Sequence, residues 1–225
     1  MIIKLVLQTF VWAGLMVPLL FWPAGTLAWP GGWALIALLA GPGLLIGLWL
    51  ARRDPGLLNE RLGGPLQEGQ KAWDRIFLAL LMIGFHAWFV VMALDAKRYA
   101  WSAVPVWAQV LGGALILIGY GGVMWVYAAN SFAAPVVRMQ EERTQTVVDT
   151  GPYALVRHPM YAAAVLMFIG MPLTAGSLWG LVGTALIVPL LAVRIRGEEA
   201  MLRAELAGYE AYAAKVRFRL LPGVW

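Results

Sequence analysis

Two clusters of polar residues interrupt a chain otherwise made of long apolar runs. The first lies in QTVVDTGPYALVRHPMY, Gln145 to Tyr161, and sets Tyr153, Arg157, His158 and Tyr161 directly before a hydrophobic segment. Arginine and tyrosine are ordinary anchors at a membrane interface. That role does not account for Gly151-Pro152 and His158-Pro159, where proline fixes its own φ and restricts the preceding residue, so the backbone is stiffened where hydroxyl, imidazole and guanidinium groups collect. The second cluster is Arg194, Glu198 and Glu199. Arg194 and Glu198 are four apart and share one face of a continuous helix. They form either an exposed ion pair of little energetic consequence or part of a polar site.

Other chemistries are excluded or disfavoured. The chain has no cysteine, which removes disulfides, thiolate nucleophiles and thiolate metal sites, and no metal site is expected. The net charge of +5 is dispersed over several loops rather than gathered in one run, which fits a membrane surface better than nucleic acid. The long apolar runs hold one clear ionisable residue, His86. Ion and proton pathways need such groups within the membrane, so transport is disfavoured. His86 is expected to hydrogen-bond between helices rather than act in catalysis, and Gly43 and Gly47 to permit close helix packing.

These clusters must be positioned by membrane helices. Of the 225 residues, 61% are hydrophobic and 13% charged, well below the roughly 25% charged content of soluble domains. Spans of about 20 residues are read at Leu5–Trp22, Trp33–Ala51, Ile76–Leu94 and Val106–Ala129. A shorter arm, Met160–Leu173, is joined through Thr174-Ala175-Gly176-Ser177 to Leu178–Val193, giving a hairpin whose first arm either crosses fully or is re-entrant. The first span is read as retained rather than as a cleaved signal. With six spans, fifteen of the 17 Lys and Arg residues fall on one side and only Lys97 and Arg98 on the other; the positive-inside rule then makes both termini cytoplasmic, and a bacterial-type inner (plasma) membrane is the expected location. An amphipathic helix at the membrane surface is expected from Arg196 to Tyr212, with Met201, Leu202 and Leu206 on its apolar side. The expected fold is therefore an all-α polytopic bundle of five to six transmembrane helices with a C-terminal amphipathic helix, divided into a four-helix region, 1–129, and a loop, hairpin and terminal helix, 130–225.

The string GPYALVRHPMY, then the hairpin, then RIRGEEAML and GYEAYAAKVRFRLLPG, resembles the isoprenylcysteine carboxyl methyltransferase and phospholipid methyltransferase family of integral membrane enzymes. The resemblance covers roughly Asn130 to Trp225. Ala162 stands where that family often has glycine. The resemblance implies that 130–225 is a cofactor-binding module for S-adenosylmethionine, contacted by Gln145, Thr146, Val147, Val148, Tyr153, His158, Pro159, Met160, Tyr161, Glu198 and Glu199. It also implies that Arg194 lies toward the substrate as the catalytic residue.

The residue types suit that cofactor. Carboxylates can accept from ribose hydroxyls and an ammonium, while histidine, tyrosine hydroxyls and backbone N–H groups can bind a carboxylate. Methyl transfer from a sulfonium needs positioning and a dry pocket more than a strong base. The expected reaction is carboxyl O-methylation of an isoprenylcysteine-like or other lipid-soluble acid drawn from the bilayer, with Arg194 orienting the acid by a two-pronged contact. N-methylation of a phospholipid amine is the alternative, with Glu199 as base. An NADPH-dependent sterol-type reductase and a non-catalytic scaffold are the rivals from other classes. Nucleic acid is not an expected partner, and oligomeric state is not legible.

Overall fold

The computed structural model describes residues 1–225. It is all-helical: α1 Ile2–Ala24, α2 Pro30–Arg53, α3 Pro55–Leu62, α4 Ala72–Ala93, α5 Val106–Ala129, α6 Pro159–Ala175, α7 Trp179–Glu205 and α8 Tyr209–Lys215, with a π-helical turn at Leu94–Arg98 and short 3-10 turns at Glu141–Arg143 and Gly151–Ala154. Proline and glycine set many of the limits. Pro30, Pro55 and Pro159 occupy first turns, where the missing N–H costs nothing. Gly25 and Gly176 close α1 and α6 in the left-handed conformation, φ 72° and 87°, which a side chain would resist.

Five helices are long and apolar enough to cross a membrane, and large apolar side chains such as Phe10, Trp22, Ile83 and Leu186 face outward. The protein is an integral membrane helix bundle. The shorter α6, 17 residues, spans only about 25 Å at 1.5 Å per residue, yet it runs the length of the bundle. Its first residues lie beside the C-terminal half of α7, and its last, Ala175, accepts a hydrogen bond from Trp29 Nε1 at the opposite end (3.1 Å). Six helices thus traverse the bundle, and the fifteen basic residues gather at one end.

Lipid cannot drive helices together by apolar burial, so close packing and polar bonds do so. The most extensive interface, α5 against α6, is built on glycine: a Cβ on Gly112 would meet Thr174 N at 2.6 Å, and one on Gly170 would meet Gly112 O at 2.5 Å. Gly47 closes on Leu5 of α1 as expected, whereas a Cβ on Gly43 would meet Tyr120 of α5 at an ordinary 3.5 Å, so only one of the two glycines is needed for close packing. His86 does not do what its sequence suggests. It faces outward and bonds its own helix at Met82 O (2.6 Å). The interhelical bonds come instead from Trp29, from Trp88 to Gly180 O (2.7 Å), from Tyr120 to Leu39 O (2.6 Å) and from Thr184 to Phe168 O (2.6 Å).

The C-terminal amphipathic stretch is divided. Arg196–Glu205 continues α7 as one 27-residue helix of about 40 Å, longer than the roughly 30 Å apolar core of a bilayer, so its last turns stand clear of the span. Gly208, φ 85°, then breaks the chain before α8.

Candidate functional site

The site forms where α4, α6 and α7 open at the basic end of the bundle and the long connection 130–158 folds over them. A cavity of about 300 Å³ lies there. It is lined by every sequence-nominated residue except Glu199: Gln145 to Val148 and Tyr153 from the connection, His158 to Tyr161 from the start of α6, and Arg194 and Glu198 from α7. Tyr209 and Tyr212 of α8 close it on one side, and Leu81, Ala164, Phe168 and Leu191 continue it toward the apolar interior.

The two sequence clusters meet directly. Tyr161 Oη donates to Glu198 Oε2 at 2.7 Å. Arg194 and Glu198 share a face of α7 as their spacing requires, but they do not pair with each other. Arg194 Nε donates to Asp74 Oδ1 (2.9 Å) and its Nη2 to Pro135 O (2.9 Å). Asp74 is fully buried and also accepts from Gln70 Nε2 and Val137 N, each at 2.9 Å. The expected two-pronged hold of Arg194 on a substrate is therefore largely taken up inside the protein, with Nη1 left without a hydrogen bond.

Glu198 and Glu199 take separate parts because neighbouring helical residues point about 100° apart. Glu199 turns away from the cavity. It accepts from Arg157 Nε (2.6 Å), lies 3.2 Å from His158 Nε2, and accepts from Arg219 Nε (3.0 Å). This is a knot: Arg157 Nη1 also donates to Val216 O (2.7 Å), and the backbone N–H groups of Arg157 and His158 bond Phe218 O and Arg219 O. It fastens the terminal tail to the start of α6. Glu199 is thus a tether by geometry, not a ligand of the cavity, and it leaves His158 Nδ1 as that ring's open nitrogen.

The phenols stay protonated. Burial raises Tyr153, Tyr209 and Tyr212 well above the usual tyrosine range. Tyr212 Oη donates to Tyr153 O (2.9 Å), whereas Tyr153 Oη accepts from Asn130 Nδ2 (2.8 Å) and so has its own proton free to donate. Along Thr146 to Val148 no backbone N–H bonds within the chain, although unpaired backbone groups are costly when buried. Thr146 is exposed and Val147 and Val148 are half-buried, and the stretch lines the cavity together with Leu202, Leu206 and Tyr209.

Sequence reasoning passed over Asn130, Asp74 and Arg61. Asp74 sits two residues before the expected third span, and an acidic residue at such a boundary reads as solvated until its partner on α7 is known. Arg61 lines the cavity from α3, its Nη1 donating to Ala133 O at 3.1 Å.

No curated protein matches the chain. Residues 107–207, from α5 through the connection and the hairpin to the end of α7, match the phospholipid methyltransferase family, so this bundle of membrane-length helices is similar to that family of methyltransferases over the segment that builds most of the cavity wall.

Proposed function

We propose that the protein transfers a methyl group from S-adenosylmethionine to a lipophilic acceptor that enters from the bilayer. The observation that carries this reading is the 2.7 Å bond from Tyr161 to Glu198 across one cavity, because it joins the two segments whose motifs nominated the cofactor. The cavity's size falls at the lower end of the roughly 300–1,000 Å³ of ligand pockets. Its groups suit the cofactor: the lining stretch Thr146 to Val148, whose backbone N–H groups bond nothing within the chain, with Tyr209 for the base, Glu198 for hydroxyls or an ammonium, and the Tyr153 proton with His158 Nδ1 for the amino-acid end. Bound there, S-adenosylmethionine supplies the methyl carbon, which the acceptor's lone pair takes as the electrons of the broken carbon–sulfur bond stay on sulfur. Leu81, Ala164, Phe168 and Leu191 exclude water and admit an apolar chain.

The acceptor reading is a lipid-soluble carboxylic acid, already ionised near neutral pH, so the site needs no base. The one cavity carboxylate, Glu198, is engaged by Tyr161. Phospholipid amine methylation is the second reading, favoured by the description of the matching family. In either case residues 130–225 act as the cofactor module on the 1–129 helices, and the basic end of the bundle, with both termini, faces the cytoplasm as the charge bias requires.

Calorimetric titration of detergent-purified protein with S-adenosylmethionine tests the cofactor. Saturable binding by the native chain is expected. Glu198→Ala should weaken it about 10- to 100-fold, the loss of a hydrogen bond to a charged group, with only a modest fall in melting temperature from the Tyr161 hydroxyl left unpaired. Glu199→Ala should instead lower the melting temperature by uncoupling the tail. A native protein that does not bind, or a Glu198→Ala variant that binds as well as native, overturns the reading. Base-labile methyl label on an extracted lipid indicates an ester; base-stable label indicates an amine.

A further inference from the structure

Four arginines line the cavity: Arg61, Arg138, Arg157 and Arg194. Three have carboxylate partners, Arg138 with Glu60 and Glu142, Arg157 with Glu199, and Arg194 with Asp74. Arg61 has none. Its Nη1 donates to Ala133 O (3.1 Å) and touches Met160 Sδ (3.8 Å), its guanidinium lies 5.1 Å from the Tyr127 ring centre, and Nε and Nη2 make no hydrogen bond. We infer that Arg61, and not Arg194, is the residue that recognises the anionic group of the lipid acceptor, an inference that rests on the methyltransferase reading.

Two observations carry it. Arg61 and Arg194 donate to Ala133 O and Pro135 O, two residues apart and so within about 7 Å of chain. They flank one stretch of the cavity wall. Arg194 arrives with its charge cancelled by Asp74, while Arg61 retains a full positive charge and an open edge in a partly desolvated site. A guanidinium with free donors in that setting binds carboxylate or phosphate in a directional way.

The second observation is place. α3 is capped by Asp54, whose Oδ1 accepts from Leu57 N (2.9 Å), and it buries Leu57, Leu58 and Leu62 against Leu5 of α1, Leu50 of α2 and Val126 of α5. This anchors Arg61 where those helices end, the level at which lipid headgroups meet a membrane bundle, and basic pockets between helices hold anionic headgroups there. Glu198 and the Tyr209 wall come from α7 and α8, so the cofactor's groups and the acceptor's anion are drawn from separate elements. Arg61 lies outside the segment, 107–207, that matches the methyltransferase family.

The test compares native protein with Arg61→Gln and Arg61→Lys in a labelled methyl-transfer assay. Two acceptors distinguish the source of the anion: an S-prenyl cysteine with a free carboxylate, and phosphatidylethanolamine in mixed vesicles, whose anion is a phosphodiester. Calorimetry with S-adenosylmethionine runs in parallel. For whichever acceptor the native protein methylates, Arg61→Gln should raise KM tenfold or more with little change in kcat, leave the cofactor Kd within twofold, and be partly rescued by Arg61→Lys. An unchanged KM in Arg61→Gln overturns the inference. So does weaker cofactor binding at constant acceptor KM, which assigns Arg61 to the cofactor's carboxylate, and so does parallel loss of cofactor affinity and melting temperature in both variants, which makes it a loop tie. If native protein neither binds S-adenosylmethionine nor transfers methyl, the methyltransferase reading fails first and takes this inference with it.

Discussion

Each end of the bundle buries one aspartate completely, and the two are handled differently. At the basic end Asp74 is paired with Arg194 and accepts from Gln70 and Val137 N. At the opposite end Asp95, in the π-helical turn, receives only neutral donors: Oδ2 accepts from Ser177 Oγ (2.6 Å), Ser102 Oγ (2.7 Å) and Trp179 N (3.1 Å), while Oδ1 has no partner. Asp95 staples the α6–α7 turn to α4 and has no part in the lining of the cavity at the basic end. Asp74 fixes both an arginine and the 133–137 wall of the proposed active site. Burial of a carboxylate marks architecture at both ends; only its coupling to a cation beside a cavity connects it to chemistry.

The same substitution at both sites separates them. Asp74→Asn leaves Arg194 buried without a counter-ion, and breaking one side of such a pair costs about 3–5 kcal/mol, so a marked drop in melting temperature in detergent is expected together with loss of methyl transfer. Asp95→Asn keeps an acceptor oxygen for the two serines and Trp179 N, so a change below about 1 kcal/mol is expected, with S-adenosylmethionine binding intact. Equal losses at both sites would erase the distinction. The smallest effect belongs between the ends: His86→Leu, on the outward face of α4, should shift stability by less than about 0.5 kcal/mol and leave activity unchanged, and a large loss would mean that His86 has a partner other than its own helix.

Much of the site was legible locally. The punctuation at Gly151-Pro152 and His158-Pro159 does lie where the connection enters α6, and the i, i+4 spacing of Arg194 and Glu198 does put both on one face. The division between Glu198 and Glu199 was not legible as a division of roles, since it depends on what the tail brings back: Val216 O, Phe218 O and Arg219 occupy the Glu199 side. His86 misled because a polar residue in an apolar run signals the need for a hydrogen bond without naming its partner, and the carbonyl one turn back supplied it.

What the chain's own pattern determined is the long apolar spans to within a few residues, the gathering of basic residues at one end, and the two segments that carry the motifs, because hydropathy, proline and glycine act over a turn or two of backbone; the short α3 and the continuation of α7 to Glu205 were not legible there. Tertiary structure alone decided which charges are spent on the protein and which are left for a ligand. Arg194 and Arg61 are the same residue type, and only the position of Asp74, 120 residues before Arg194 in sequence, makes one a structural pair and leaves the other a free cation.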